Sequence, residues 1–213
     1  MKCTVVYDNE VSQKGLKADW GFSCLIEGEG LPRILFDTGA NGAMLLHNMK
    51  VLGIDPAGIG VIVISHDHFD HTGGLESVIE VTGGIDLYVP RSFSGNVTGC
   101  KITRVGGPMA ICEGVFTTGE LAGIEQSLVV ETGSGIMVVA GCSHPGVGTI
   151  LDAASRYGRV TGLVGGLHGF SEIDRLEGLS LICPCHCTQR KSEIARAFPA
   201  QTRKCGAGLV LEL

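Results

Sequence analysis

The chain has 213 residues, with 16 Lys and Arg against 22 Asp and Glu for a formal charge of −6. Hydrophobic residues make up 44% and charged residues 18%, enough apolar surface to offset the ordering entropy of a core, which excludes a disordered chain. The acidic balance offers no clustered basic face, so neither nucleic acid nor an anionic membrane surface is an expected partner, and no apolar run approaches the ~20 residues that cross a bilayer.

The opening, Met1-Lys2-Cys3-Thr4-Val5-Val6-Tyr7-Asp8, turns acidic before any signal-type apolar core develops, so a cytoplasmic location is expected. Short β-rich runs follow, Cys3 to Tyr7, Phe22 to Glu27 and Arg33 to Asp37, separated by Gly-containing turns as in an antiparallel meander. Between Asn41 and Gly53, Met44, Leu45, Met49 and Leu52 recur at helical spacing, with Gly53 as the stop. Val61 to Ile64 is uniformly apolar and β-branched, which predicts a strand covered on both faces. It runs straight into Ser65-His66-Asp67-His68-Phe69-Asp70-His71. A helix is expected from Gly74 to about Val81, then strands at Leu87–Val89, Lys101–Val105, Val115–Thr117, Leu128–Glu131 and Ile136–Ala140. Pro145 suits a first helical position and predicts a helix there. Strands Val160–Val164 and Leu179–Cys183, helix Lys191–Phe198 and strand Leu209–Leu213 complete the series. Two sheet-rich halves, each with helices, suggest a layered sandwich. No linker or repeat divides them, so residues 1–213 read as one domain.

Six of the seven histidines, His66, His68, His71, His144, His168 and His186, lie in Gly-, Pro-, Cys- or Asp-rich segments just after a predicted strand, whereas His47 sits inside a helix. Extended backbone alternates sides and would aim His66, His68 and Asp70 in one direction. Imidazole and carboxylate suit zinc and other first-row divalent metals, and so many ligand-type groups in one short loop would repel or stay unpaired without a cation. The nine cysteines of an apparently cytosolic chain read as buried, metal-bound or catalytic thiols, since a disulfide framework belongs to oxidising compartments. Cys183, Cys185 and Cys187 alternate around His186 and could present sulfurs on one side. Without a complete four-ligand set they read, like Cys142, as small packing groups. Glu120 and Glu125-Gln126-Ser127 read as solvated turns.

Ser65-His66-Asp67-His68-Phe69-Asp70-His71-Thr72-Gly73-Gly74 resembles the signature of the metallo-β-lactamase fold superfamily. Ile34-Leu35-Phe36-Asp37-Thr38-Gly39 is similar to its Asp-Thr-Gly turn, and Gly141-Cys142-Ser143-His144-Pro145-Gly146 to its third-ligand loop. Gly165-Gly166-Leu167-His168 and Pro184-Cys185-His186-Cys187-Thr188 resemble the subgroup that includes the dihydropterin–ribofuranosylaminobenzene phosphate synthase of the methanopterin pathway. The resemblance implies an α/β fold, a four-layer αββα sandwich with metals held by loops at one edge. It implies that His66, His68 and His144 bind one metal, that Asp70, His71 and His186 bind the other, and that Asp37 orients a ligand from behind. In much of the superfamily the strand after the third-ligand loop ends in a metal-bridging Asp; here it ends in Gly165-Gly166-Leu167-His168. His168 is left as a metal ligand, a proton carrier or a substrate contact. Gln189 stands where the subgroup pattern has Gly.

Two divalent ions, zinc foremost with iron or manganese as alternatives, would supply hydroxide near neutrality and polarise a carbonyl or phosphoryl oxygen. The leading expectation is a metal-dependent hydrolase of a small ester, lactone or phosphate-containing substrate, with Asp70 orienting the nucleophile and His168 as general acid or base. One alternative is a synthase joining a dihydropterin diphosphate to an arylamine ribose phosphate, with Trp20, Phe22, Phe69 and Phe170 as candidate pocket liners. Another is a diiron redox or binding protein.

Overall fold

The computed structural model describes residues 1–213 and contains two packed sheets. The first sheet takes β1 (Lys2–Tyr7), β2 (Ser23–Glu27), β3 (Arg33–Phe36), β4 (Ile59–Val63), β5 (Asp86–Pro90), β6 (Lys101–Val105) and β13 (Val210–Glu212), in the order β13-β1-β2-β3-β4-β5-β6. The second takes β7 (Met109–Cys112), β8 (Val115–Thr117), β9 (Leu128–Thr132), β10 (Gly135–Ala140), β11 (Val160–Gly166) and β12 (Leu181–Cys185), in the order β12-β11-β10-β9-β8-β7. Helices α1 (Gly42–Val51), α2 (Phe69–Thr72), α3 (Leu75–Thr82), α4 (Val147–Ala154) and α5 (Lys191–Ala197) join them. No helix is long and apolar enough to cross a membrane.

Strand alternation sorts the apolar side chains into three layers. Cys3, Val5, Cys24, Ile26, Ile34, Phe36, Val61 and Val63 point inward and meet Leu128, Val130, Met137, Val139, Val164, Cys183 and Cys185 of the other sheet. The intervening residues Val6, Leu25, Leu35, Ile62 and Ile64 face Leu45 and Met49 of α1 and Leu75, Val78 and Ile79 of α3. On the far side, Val129, Ile136, Val138, Leu163 and Ile182 face Val147, Ile150, Leu151 and Ala154 of α4 and Ile194 of α5. Burial of each such aliphatic side chain is worth about 1.5–3 kcal/mol, so the inter-sheet layer and two outer layers hold the four-layer αββα arrangement together.

Several local features depart from the sequence reading. Met109–Cys112 forms a strand that the composition did not signal, because it is a half-exposed edge paired only with β8. The last strand of the second sheet runs Leu181–Cys185 rather than Leu179–Cys183, which brings His186 directly to its end. Helix α4 begins at Val147 behind Gly146, whose φ of 94° turns the chain, so Pro145 lies before the helix. After His68 the chain enters α2, so Asp70 reaches inward from a helical turn and not by strand alternation.

Candidate metal centre

Because β1, β3 and β4 run parallel, the segments following each emerge at one end of the first sheet. Parallel β10, β11 and β12 likewise deliver Cys142–His144, His168 and His186 together, and antiparallel β9 brings Glu125 to the same end at its start. This is the crevice outside the carboxyl ends of parallel strands where α/β sheets hold ligands. The backbone there is strained: four of the five non-glycine residues with positive φ are Asp37, Ser143, His168 and His186.

Two donor groups converge. Asp70, His71, Cys142 and His186 have ligand atoms all within 4.8 Å of one another, and so do His66, Cys142 and His144. His68 adjoins the second group, its Nδ1 3.0 Å from His66 Nε2 and its ring 4.8 Å from that of His144. His168 is exposed on the lip, its ring 5.2 Å from His144. It belongs to neither tight group. Beside it lies a pocket of about 480 Å³ lined by Ser143, His144, Pro145 and Phe170. His47 is remote from this end, its Nε2 2.9 Å from the Gly15 carbonyl.

The histidines are aimed from behind. Asp37, fully buried with φ 57°, accepts His71 Nδ1–H at 2.7 Å and the Ser65 hydroxyl at 2.7 Å through Oδ2, and the Ser65 N–H at 2.7 Å through Oδ1. With its own proton committed to Asp37, the Ser65 Oγ accepts from His66 Nδ1 at 2.8 Å. Asn9 Oδ1 takes His186 Nδ1–H at 2.9 Å, while its amide donates to the His186 carbonyl at 3.1 Å and Asp8 accepts the His186 N–H at 2.8 Å. In each case the Nε2 lone pair is left facing the common space.

That space asks for positive charge. His186 Nε2 lies 3.0 Å from Asp70 Oδ2, two acceptors facing each other once Nδ1 carries the ring proton. His144 Nε2 is buried with no hydrogen-bond partner. Burial, and then the neighbouring His68 and His168, bring the His144 pKa down to about 4, and burial with His71 and His68 pushes His66 down too, so both rings stay neutral ligands. Burial opposes ionisation of Asp70, yet the neighbouring His186 and His71 imidazoles outweigh it and hold its carboxyl well below the usual range. The donor chemistry and the unpaired lone pairs therefore fit divalent cations.

Glu125, which the sequence reading left as a solvated turn, is fully buried. Its Oε1 accepts the N–H groups of Gly141, Cys142 and Ser143 at 3.1, 3.0 and 3.0 Å, and its Oε2 that of His144 at 2.8 Å. One carboxylate thus shapes the whole third-ligand loop. Cys142, read from sequence as packing, lies between the two donor groups. The three alternating cysteines do not share one cluster: Cys183 and Cys185 meet Cys205 inside the core, whereas Cys187 turns away to the Cys142 carbonyl at 3.9 Å. No local signal marks Glu125 or Cys205, because their partners are far away in sequence.

Comparison with known proteins supports the fold and the likeness of the site. A profile of the β-lactamase superfamily domain matches residues 32–105. A solved metal-dependent hydrolase of the β-lactamase superfamily superposes with a TM-score of 0.81 over 100% of this chain and 99% of its own, at 28% identity. The chain thus has the metallo-β-lactamase fold and is similar to enzymes built on it. The chain is also 29% identical to the 7,8-dihydropterin-6-methyl-4-(β-D-ribofuranosyl)-aminobenzene-5′-phosphate synthase of Methanocaldococcus jannaschii, over 85% of this chain and 83% of that one. Zinc-bound PqqB of Methylobacterium extorquens shares the fold, with a TM-score of 0.67 at 12% identity over 100% of both chains. Of these similar proteins, one is a metal-dependent hydrolase and one a synthase, so both are enzymes.

Proposed function

We propose that the chain is a metal-dependent hydrolase acting on a small phosphate-bearing molecule at a centre of two divalent cations, zinc foremost. The observation that carries this is the set of Nε2 atoms of His66, His71, His144 and His186 turned toward one space with Asp70, three of the rings fixed by Ser65, Asp37 and Asn9 behind them. His66, His68 and His144 would hold one cation, and Asp70, His71 and His186 the other. Cations held there supply Lewis acidity toward a phosphoryl or carbonyl oxygen and make water a nucleophile near neutral pH.

The remaining chemistry belongs to the chain. Asp70, kept ionised, accepts a hydrogen bond from the attacking water and orients it. His168, exposed on the lip beside the His144 pocket, transfers a proton to the leaving group. Its left-handed backbone, φ 44°, is the strained conformation expected where a side chain is aimed for function.

Elemental analysis of protein purified without added metal, on wild type, His66→Ala and Asp70→Ala, tests the reading. The expected result is about two ions per chain, fewer in both variants, with phosphate-ester hydrolysis lost in each. Wild type without bound metal even after zinc addition overturns it, and iron with visible absorption moves the protein to the redox class.

A second reading, a synthase that builds onto a dihydropterin, is favoured by two aromatic side chains left in solvent beside the centre. Trp20 is 56% exposed with its ring 4.8 Å from His186, and Phe69, between His68 and Asp70, is 70% exposed. Flat apolar faces at a polar mouth suit a stacking ring. Trp20 is the only tryptophan, so quenching of its fluorescence by a dihydropterin diphosphate, absent in Trp20→Leu, is the expected sign; no quenching and no product with an arylamine ribose phosphate dismisses this reading.

A further inference from the structure

Cys142 is the one residue common to both donor groups. Its Sγ lies within 4.8 Å of the ligand atoms of Asp70, His71 and His186 on one side and of His66 and His144 on the other. It is 3% exposed and stands 3.2 Å from His71 Nε2. Because His71 Nδ1 is bound to Asp37, the nitrogen facing the sulfur is the one with the free lone pair, so ring and sulfur aim into the same gap. The backbone leaves the sulfur little choice: Glu125 ties the N–H of Cys142 at 3.0 Å along with those on either side, and Ser143 turns away at φ 61°.

Strand β11 ends in Gly165 and Gly166, which bring no side chain. A Cβ on Gly166 would run into the Gly141 carbonyl oxygen and stand 2.7 Å from Cys187 Sγ and 3.3 Å from Cys142 Cα. The volume from which a β11 side chain would enter is thus filled by Cys187 and by the loop carrying Cys142. Charge points the same way. His66, His68 and His144 offer only imidazole nitrogens, so that group has no carboxylate of its own, whereas Asp70 lies in the other.

We propose that Cys142 is a thiolate ligand shared by the two cation positions, and that the centre therefore takes zinc, cobalt or ferrous iron in preference to magnesium or manganese. Cation binding breaks the S–H bond, forms the sulfur–metal bond and releases one proton to solvent, with no change of oxidation state. Sulfur donors select borderline and soft cations over hard ones, which is the source of the preference. The inference rests on the two-cation reading above, and the test separates the two.

Metal-free full-length chain is titrated with cobalt(II), and separately with zinc, in wild type, Cys142→Ser, Cys142→Ala and Cys205→Ala. The last variant controls for thiolate signals from the Cys183–Cys185–Cys205 group. Wild type and Cys205→Ala are expected to take up about two cobalt ions and show a near-ultraviolet thiolate-to-cobalt band. Both Cys142 variants lose the band, and their second ion binds about 10–100-fold more weakly. X-ray absorption of the zinc-loaded wild type, which does not depend on the variants folding, shows a sulfur neighbour at about 2.3 Å that is retained in Cys205→Ala. Two cobalt ions bound without the band, or a band that survives in Cys142→Ser, overturns the shared thiolate and leaves the two-cation reading standing. No uptake of cobalt or zinc by wild type fells both.

Discussion

Asp8 and His186, 178 positions apart, are joined by a 2.8 Å hydrogen bond from the His186 N–H to Asp8 Oδ1. The first strand therefore ends by holding the last candidate ligand, and its next residue, Asn9, fixes that ligand's ring through Nδ1 at 2.9 Å. Asn9→Ala removes the ring's anchor while sparing the backbone bond. Zinc affinity is expected to fall about 10–100-fold, as for other residues that orient a ligand from behind, with a small change in melting temperature. Competition with a chromophoric chelator measures it.

Glu125→Gln keeps size but turns one carboxylate oxygen into an NH₂ group. Either His144 or the trio Gly141, Cys142 and Ser143 then faces a donor where it needs an acceptor. Leaving buried N–H groups unpaired costs about 1–3 kcal/mol, read by urea unfolding, and metal uptake should decline with it because His144 loses its fixed backbone.

Gly166→Asp puts a carboxylate at the end of β11, yet it should not build a working bridge between the cation positions. The new Cβ collides with the Gly141 carbonyl and crowds Cys187, both buried. The expectation is a loss of at least about 1–3 kcal/mol and lower, not higher, metal content; Gly166→Ala shows the same destabilisation without the charge.

Glu27 supplies a pH signature far from the centre. Burial opposes its ionisation, but Lys2 at 2.8 Å and Arg33 at 2.8 Å outweigh it and hold the carboxyl below its ordinary value of 4.5. Between the folded value and the ordinary one, the unfolded chain binds more protons than the folded chain, so stability rises with pH there. The contribution is full above the ordinary value and lost as pH falls through the folded one. Because the group is partly exposed, it is worth under about 1 kcal/mol. The stability difference between wild type and Glu27→Gln should be flat above neutrality and vanish in acid, and salt should diminish it.

The sequence carried the strands well where burial was two-sided, as at Val61–Ile64, since an unbroken β-branched run has few other solutions. The motif from His66 to His71 was legible because its chemistry is local. Glu125, Asp8 and Asn9 were not, since each acts on a backbone or ring more than fifteen positions away and is an ordinary turn residue in its own neighbourhood. The position of Cys142 between the two donor groups was hidden for the same reason. Its thiol suits apolar packing equally well, and only the approach of α2 and β12 turns the space around it polar. The pairing of Cys183 and Cys185 with Cys205, not with Cys187, likewise depends on a late segment folding back over β12.

The candidate ligands are divided between the layers: His66, His68, Asp70 and His71 follow the first sheet, and His144 and His186 the second. Beneath them the two sheets meet through an apolar layer, with hydrogen bonds such as those of Gln126 to the Ile64 and Ser65 carbonyls at the ligand end. An ion held by both sets is thus a rivet across a greasy seam, fixing the angle at which the halves meet. Stripping it with a chelator loosens the molecule from that end, and faster hydrogen exchange should begin at residues 141–146 and 186–188 while the strand interiors stay protected.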